Sequence, residues 1–146
     1  MRDLPRQLSA DELAELFEGR TVLVDRLSER DDPLGNAREA VAGLTLEEKR
    51  DVLAAHPAIG QKIGLSARSA SEQGTDADPA VIDELARLNA DYEARHGFRF
   101  VVFVNRRPKT EILEILKSRI DNPTDAELEA ALGELVAIAT DRWQRG

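Results

Sequence analysis

Length, composition and charge exclude several classes of protein. The chain has 146 residues, which predicts a single domain over 1–146, and 42% hydrophobic with 33% charged residues is typical of a globular protein. It contains no cysteine and only two histidines, which excludes disulfides, thiolate nucleophiles and cysteine-based zinc sites. The formal net charge of −8 disfavours nucleic acid and anionic membranes as partners.

No segment of the sequence has the character of a membrane anchor or a secretion signal. The longest run of large apolar residues is Phe100–Val104, far shorter than the roughly 20 residues that a membrane-spanning helix needs. The first residues contain no apolar stretch of the kind found in signal peptides. We therefore expect a cytoplasmic protein that binds neither membranes nor nucleic acid.

Helical periodicity with capping signals dominates the first 56 residues. Ser9 and Thr45 each begin a capping-box sequence with glutamate three residues later, and apolar residues follow at helical spacing. Pro57 hinders continuation of the helix that Thr45 opens, so we expect it to end near His56. The predicted helices of this part begin near Ser9, Thr21, Asn36 and Thr45.

The rest of the chain adds further helices and one extended segment. Residues 58–78 are rich in glycine, serine and alanine and poor in large apolar residues. Residues 98–104 are apolar and β-branched, but no other segment offers a partner strand of similar quality. The predicted helices of this part begin at Asp78-Pro79, at Thr110, and at Thr124, where a capping box with Glu127 is expected. The patterns together predict an all-α bundle of about eight helices with an extended loop near 98–104.

Two groups of polar residues could take part in catalysis or binding: His56, and the set Ser69, Glu72 and Gln73. His56 shares an inward helix face with Val52 and Leu53, so it could act as a positioned acid or base. Its position alone fits a structural histidine more often than a catalytic one. Ser69, Glu72 and Gln73 would project from one face if 66–73 is helical, and could bind a polar small molecule. The alternative is a solvated face of a small-residue turn.

Arg142 continues the apolar line of the last predicted helix. Arginine is almost never fully buried without an anion, so an inward Arg142 would meet an anionic group in a pocket. In the alternative, the side chain reaches past the helix end into solvent. The sequence contains no phosphate-binding loop, dinucleotide fingerprint, nucleophile elbow or zinc-protease motif.

Several sequence blocks occur together in a family-specific order. The His-Pro and Ser-x-x-Glu-Gln blocks are the most specific, because helical patterning explains neither of them. The blocks are Leu16-Phe-Glu18, Ala55-His-Pro-Ala-Ile-Gly60, Ser69-Ala-Ser-Glu-Gln73, Leu88-Asn-Ala-Asp-Tyr92, Gly97-Phe-Arg-Phe-Val-Val-Phe-Val104 and Ile138-Ala-Thr-Asp-Arg142. In this order they resemble the 2-oxo-4-hydroxy-4-carboxy-5-ureidoimidazoline (OHCU) decarboxylase family over nearly the whole chain.

The resemblance implies a fold, an activity and a set of site residues. It implies an all-α homodimeric enzyme that uses no metal and no organic cofactor and converts OHCU to (S)-allantoin and carbon dioxide in urate breakdown. It assigns catalysis to His56, Glu72 and Arg142. The further substrate contacts that it implies are Pro57, Ser69, Ala70, Ser71, Glu72, Gln73, Val101, Val102, Phe103, Val104 and Asn105. Two alternatives stay open: the same scaffold acting on another ureido or carboxylate substrate, and a catalytically silent helical binding module.

Overall fold

A computed structural model describes residues 3–55, 79–104 and 107–145. Within these ranges all regular structure is α-helical, which confirms the all-α prediction, with seven helices described where about eight were expected. The helices are α1 (Ala10–Phe17), α2 (Val22–Ser28), α3 (Ala37–Ala42), α4 (Leu46–Ala54), α5 (Pro79–His96), α6 (Lys109–Arg119) and α7 (Thr124–Arg145). Across the described ranges, none of these helices has the length and apolar character needed to cross a membrane.

The chain divides into two compact units. The first comprises Met1–His56 and Leu132–Gly146, and the second comprises Pro57–Ala131. In the described ranges, the first unit contains α1 to α4 and the later turns of α7. The second contains α5, α6 and the first turns of α7. That 1–146 forms a single domain stays a prediction.

Two of the expected capping boxes set the starts of helices in the first unit. The Ser9 hydroxyl accepts a hydrogen bond from the Glu12 N–H at 3.1 Å, and the Glu12 carboxylate accepts one from the Ser9 N–H at 3.1 Å. Thr45 and Glu48 form the same reciprocal pair at 3.1 and 2.9 Å. These bonds satisfy N–H groups that have no partner inside the helix. They fix the first turns of α1 and α4, and the apolar residues that follow are buried: Leu13, Leu16 and Phe17 in α1, and Val52 and Leu53 in α4.

The residue before α3 does not cap the helix with its side chain. Asn36 precedes the helix, but its side chain makes no capping hydrogen bond. The Asn36 amide instead donates to the carbonyl groups of Asp31 and Asp32, at 3.0 and 3.1 Å. Asn36 therefore stabilises the preceding turn rather than the helix start.

The second unit packs α5 against α6 and encloses the extended segment. Residues 98–104 form no strand, as predicted, and most of them are buried: Phe98, Phe100, Val101, Val102 and Val104. The Tyr92 ring of α5 packs against Phe98 and Phe100, with ring centroids 6.0 and 5.3 Å apart. Apolar packing against a helix therefore holds this segment in place of strand pairing.

The expected capping box at Thr124 is wrong. Thr124 is itself the first residue of α7, and its hydroxyl pairs with Nδ1 of His96 at 2.8 Å. Glu127 points into the second unit, where it accepts hydrogen bonds from Tyr92 and Arg119. Tertiary partners therefore replace the local reciprocal bond that the sequence pattern predicts.

Candidate active site

The structure describes only part of the predicted site. Arg142 and the segment Val101–Val104 lie in its described ranges, in the first and the second unit respectively. The remaining predicted site residues lie outside the described residues: His56, Pro57, Ser69, Ala70, Ser71, Glu72, Gln73 and Asn105.

Arg142 is buried, and protein groups hold its guanidinium. Only 1% of the residue is exposed, so the alternative of a side chain reaching into solvent is wrong. Its Nη1 donates to the Leu16 carbonyl at 2.9 Å, and its Nη2 lies 3.0 Å from Oε1 of Glu18. The anion that burial of this arginine requires is therefore provided at least in part by Glu18.

The positions of Arg142 on α7 and of Glu18 at the end of α1 explain how these two side chains meet. Arg142 lies three and four residues after the buried Ala139 and Ile138, so α7 directs it to the same face. Glu18 ends α1 in the left-handed conformation, with φ of 65°. Glycine is the usual residue in this conformation, because a side chain strains the backbone there. A glutamate in this place keeps a carboxylate against Arg142 at some conformational cost.

The same corner of the first unit reaches the residue that precedes His56. Gly19, next to Glu18, adopts φ of 155°, and a Cβ built on it would lie 3.5 Å from Cβ of Ala55. The residue after Glu18 therefore lies against Ala55, the residue that ends α4.

Glu18 is the site residue that sequence reasoning missed. It stands in the Leu16-Phe-Glu18 block of the family resemblance, but no role followed from that block alone. The signal that could have found it is the need of a buried Arg142 for an anion, combined with the few family-specific carboxylates available.

The backbone N–H groups of Val101–Val104 have no hydrogen-bond partner among the described residues. Val101 and Val102 are each 2% exposed. Buried backbone N–H groups almost always have a partner, so this segment can donate to a bound ligand.

A buried carboxylate network lies beside this segment in the second unit. Oε1 of Glu127 accepts hydrogen bonds from the Tyr92 hydroxyl at 2.6 Å and from Nε of Arg119 at 2.9 Å, and Oε2 accepts one from Asn122 at 3.0 Å. Burial, and then the Glu127 carboxylate, raise the pKa of the Tyr92 hydroxyl well above its ordinary range. Burial also raises the pKa of Glu127, but its hydrogen bonds and the Arg119 charge outweigh burial and hold that pKa below its ordinary value. Glu127 is therefore an ionised structural carboxylate.

His96 is held in a structural role. It is 2% exposed, and its Nε2 donates to the Ile120 carbonyl at 2.9 Å while Nδ1 pairs with the Thr124 hydroxyl. Since a carbonyl only accepts, Nε2 carries the proton of this hydrogen bond. In the part of the chain that the structure describes, no cluster of three metal-ligating side chains occurs.

Comparison with known proteins places this chain in a class of carbon–carbon lyases. The model of the OHCU decarboxylase family matches residues 2–144, so the chain belongs to the OHCU decarboxylase family. The 2-oxo-4-hydroxy-4-carboxy-5-ureidoimidazoline decarboxylase of Haloferax volcanii is 27% identical over 143 residues, covering 88% of this chain and 83% of that protein.

Two further comparisons agree with this membership. The uric acid degradation bifunctional protein PucL of Bacillus subtilis is 26% identical over 152 residues, which cover 97% of this chain and 31% of that protein. The chain thus spans about a third of this bifunctional relative. A crystal structure of an OHCU decarboxylase in the presence of (S)-allantoin has the same fold, with a TM-score of 0.75 and 23% identity over 90% of this chain and 94% of that one.

Proposed function

We propose that this chain is an OHCU decarboxylase, a cofactor-independent carbon–carbon lyase that forms (S)-allantoin and carbon dioxide in urate degradation. The observation that carries the proposal is the match of the family model across residues 2–144. The name of the Haloferax relative and the (S)-allantoin present with the related crystal structure support the identity of substrate and product.

The reaction needs orientation of the carboxylate and the movement of two protons. When the bond to the carboxylate breaks, carbon dioxide leaves and the electron pair is delocalised into the adjacent imine of the ring. The neighbouring carbon, which bears the ureido group, then takes a proton on one face, and the hydroxyl on the carbon that lost carbon dioxide gives up its proton to become the carbonyl of (S)-allantoin. The protein must orient the carboxylate, exclude water and stabilise the developing charge with fixed donors. No redox step is involved.

We assign the roles to three residues. His56 hydrogen-bonds the substrate hydroxyl or moves a proton, and Glu72 holds ring or ureido N–H groups and favours a protonated His56. Arg142 holds substrate oxygens. Its support is the fixed guanidinium plane, set by the Leu16 carbonyl and the Glu18 carboxylate. Glu18 offsets the positive charge of Arg142. Substrate binding therefore depends more on the direction of the Arg142 N–H groups than on the charge of Arg142.

The remaining contacts and the assembly extend the proposal. Pro57, the stretch 69–73, the backbone of 101–104 and Asn105 complete the substrate contacts. The chain acts as one domain and as a cytoplasmic homodimer. Light scattering coupled to gel filtration tests the assembly, with twice the monomer mass as the expected result and the monomer mass as the contradicting one.

The activity is tested by supplying OHCU as it forms. OHCU decays spontaneously, so urate is oxidised and hydrolysed in the same cuvette, and circular dichroism follows the appearance of optically active allantoin. We expect the chain to produce a dichroic signal that is absent without it. A folded chain that produces no signal above the spontaneous reaction contradicts the proposal and favours another substrate or a silent binding module.

Replacement of His56 tests the site within this assay. We expect His56→Asn to lower kcat by roughly 10²-fold or more, the usual scale for an acid–base group, with little change in thermal stability. The matched control is His96→Asn, which removes structural hydrogen bonds and should lower thermal stability more than turnover. Near-normal turnover of His56→Asn at saturating substrate contradicts the catalytic role.

A further inference from the structure

Two arginines hold the carbonyl groups of the extended segment. Nη1 of Arg119, the last residue of α6, donates to the Val101 carbonyl at 3.1 Å. Arg107 donates from Nε to the Val104 carbonyl at 3.1 Å and from Nη2 to the Phe103 carbonyl. The Arg107 backbone N–H also donates to the Val104 carbonyl, at 2.9 Å. Three carbonyl groups of the segment are thus held by guanidinium groups.

The planar geometry of the peptide group means that the direction of a held carbonyl also sets the direction of the N–H of the next residue. In a planar trans peptide, a carbonyl and the N–H of the next residue point in opposite directions. Fixing the Val101 carbonyl towards Arg119 therefore turns the Val102 N–H away from Arg119. Fixing the Phe103 carbonyl towards Arg107 turns the Val104 N–H away from Arg107. Within the described ranges, both of these N–H groups are without a hydrogen-bond partner.

Two further contacts hold the Arg119 guanidinium. Its Nε donates to Glu127, and its guanidinium carbon lies 4.7 Å from the centroid of the Phe100 ring. The Arg119 and Glu127 side chains are 12% and 2% exposed, so water screens this pair little. Tyr92 fixes Glu127 in turn. Tyr92 of the Leu88-Asn-Ala-Asp-Tyr92 block therefore has a structural role: through Glu127 and Arg119 it helps to hold the Val101 carbonyl.

We propose that Arg119 and Arg107 are positioning residues that hold the carbonyl groups of Val101, Phe103 and Val104, so that the N–H groups of Val102 and Val104 donate to the substrate. The inference rests on the proposed function, which assigns this backbone to substrate contact. A guanidinium is suited to the task because its planar fork binds two acceptors at once, as Arg119 binds Glu127 and Val101. Lysine offers no such fork.

The test uses Arg119→Lys and Arg107→Lys, with Arg95→Lys as matched control. Arg95 is exposed in the same unit and pairs only with the exposed Asp121 among the contacts described, at 3.4 Å. Well below the unfolding temperature, we expect each test variant to raise KM for OHCU about tenfold, with a smaller change in kcat. Arg107 is partly exposed, so its variant keeps the test open if Arg119→Lys does not fold.

Backbone ¹⁵N relaxation gives a second readout that needs no activity. In the wild type, we expect order parameters of residues 99–104 near those of rigid backbone, about 0.85, and lower values confined to these residues in either test variant. Unchanged order parameters overturn the proposal. Lower order parameters with an unchanged KM also overturn it, because the segment would then be held without serving the substrate.

The two proposals fail in different ways. A wild type that does not turn over OHCU contradicts the proposed function and removes the substrate from this inference. The order parameters still decide in that case whether the arginines fix the segment. A wild type that is active, with both test variants indistinguishable from Arg95→Lys, contradicts the positioning role alone.

Discussion

Arg142 lies between the Leu16 carbonyl and the Glu18 carboxylate, buried near the end of α7. Such a pair contributes little net stability in its intact form, because both charges lose their hydration. Removal of one partner of a buried ion pair is far more damaging, typically by about 3–5 kcal/mol, because the other buried charge loses its ion pair. The pair therefore fixes geometry more than it stabilises the fold.

Arg142→Lys tests whether this fixed geometry serves the substrate. We expect kcat/KM for OHCU to fall at least about tenfold, since an ammonium cannot bind a carbonyl, a carboxylate and a substrate oxygen in one plane. The matched control is Arg145→Lys on the same helix, where the half-exposed Arg145 pairs with Asp141 at 2.8 Å. We expect the control to leave kcat/KM unchanged. A lower unfolding temperature of Arg142→Lys with wild-type kcat/KM would assign Arg142 to structure alone.

Glu127→Gln should change stability in a pH-dependent way. The folded pKa of Glu127 lies below its unfolded value of about 4.3, so its ionised form stabilises the fold fully above about pH 5. This contribution is lost as the pH falls through the folded pKa. We expect Glu127→Gln to lower the free energy of unfolding by about 1–3 kcal/mol at pH 7, and by progressively less below pH 4.

Urea unfolding at several pH values measures this difference. The matched control is Glu114→Gln, which removes an exposed carboxylate that pairs with Lys117 at 3.4 Å. We expect little difference for the control at any pH. A Glu127→Gln deficit of the same size at pH 3.5 and pH 7 would contradict an ionised Glu127.

At the scale of elements, sequence patterns predicted correctly those helix starts that depend only on bonds between residues close in sequence. The capping boxes at Ser9 and Thr45 are reciprocal bonds between residues three apart, and both form. The same signal fails at Thr124, because His96, 28 residues away in sequence, takes the hydroxyl. The partner of Arg142 could not be read from local periodicity, because Glu18 follows α1, more than 120 residues before Arg142 in the sequence.

The two capping boxes should each contribute measurably to stability. We expect Ser9→Ala and Thr45→Ala to lower the free energy of unfolding by about 1 kcal/mol each, because an N–H of the first turn loses its acceptor. Thr110→Ala is the control, since this exposed threonine lies inside the first turn of α6 rather than at a cap. Urea unfolding compares the three. A loss for Thr110→Ala equal to the other two would contradict the capping role.

At the scale of the whole molecule, the amino-acid inventory predicts that activity needs no metal. The sequence has no cysteine and two histidines. Both ring nitrogens of His96 are engaged in hydrogen bonds, so His56 is the histidine left for ligation. We expect OHCU turnover to survive prolonged dialysis against EDTA. A loss of turnover that one divalent ion restores would contradict this prediction.

The first unit is built from two segments, 1–56 and 132–146, that are far apart in sequence and are therefore synthesised at different times. Arg142 binds a carbonyl 126 residues earlier in the chain, and the Trp143 indole donates to the Asp3 carbonyl across 140 residues. Closing loops of this length costs entropy, which late contacts must offset. The second unit consists of consecutive residues 57–131 and can close while synthesis continues. The helices α1 to α4 therefore wait for the later turns of α7, and the unit between them in sequence is expected to fold before them.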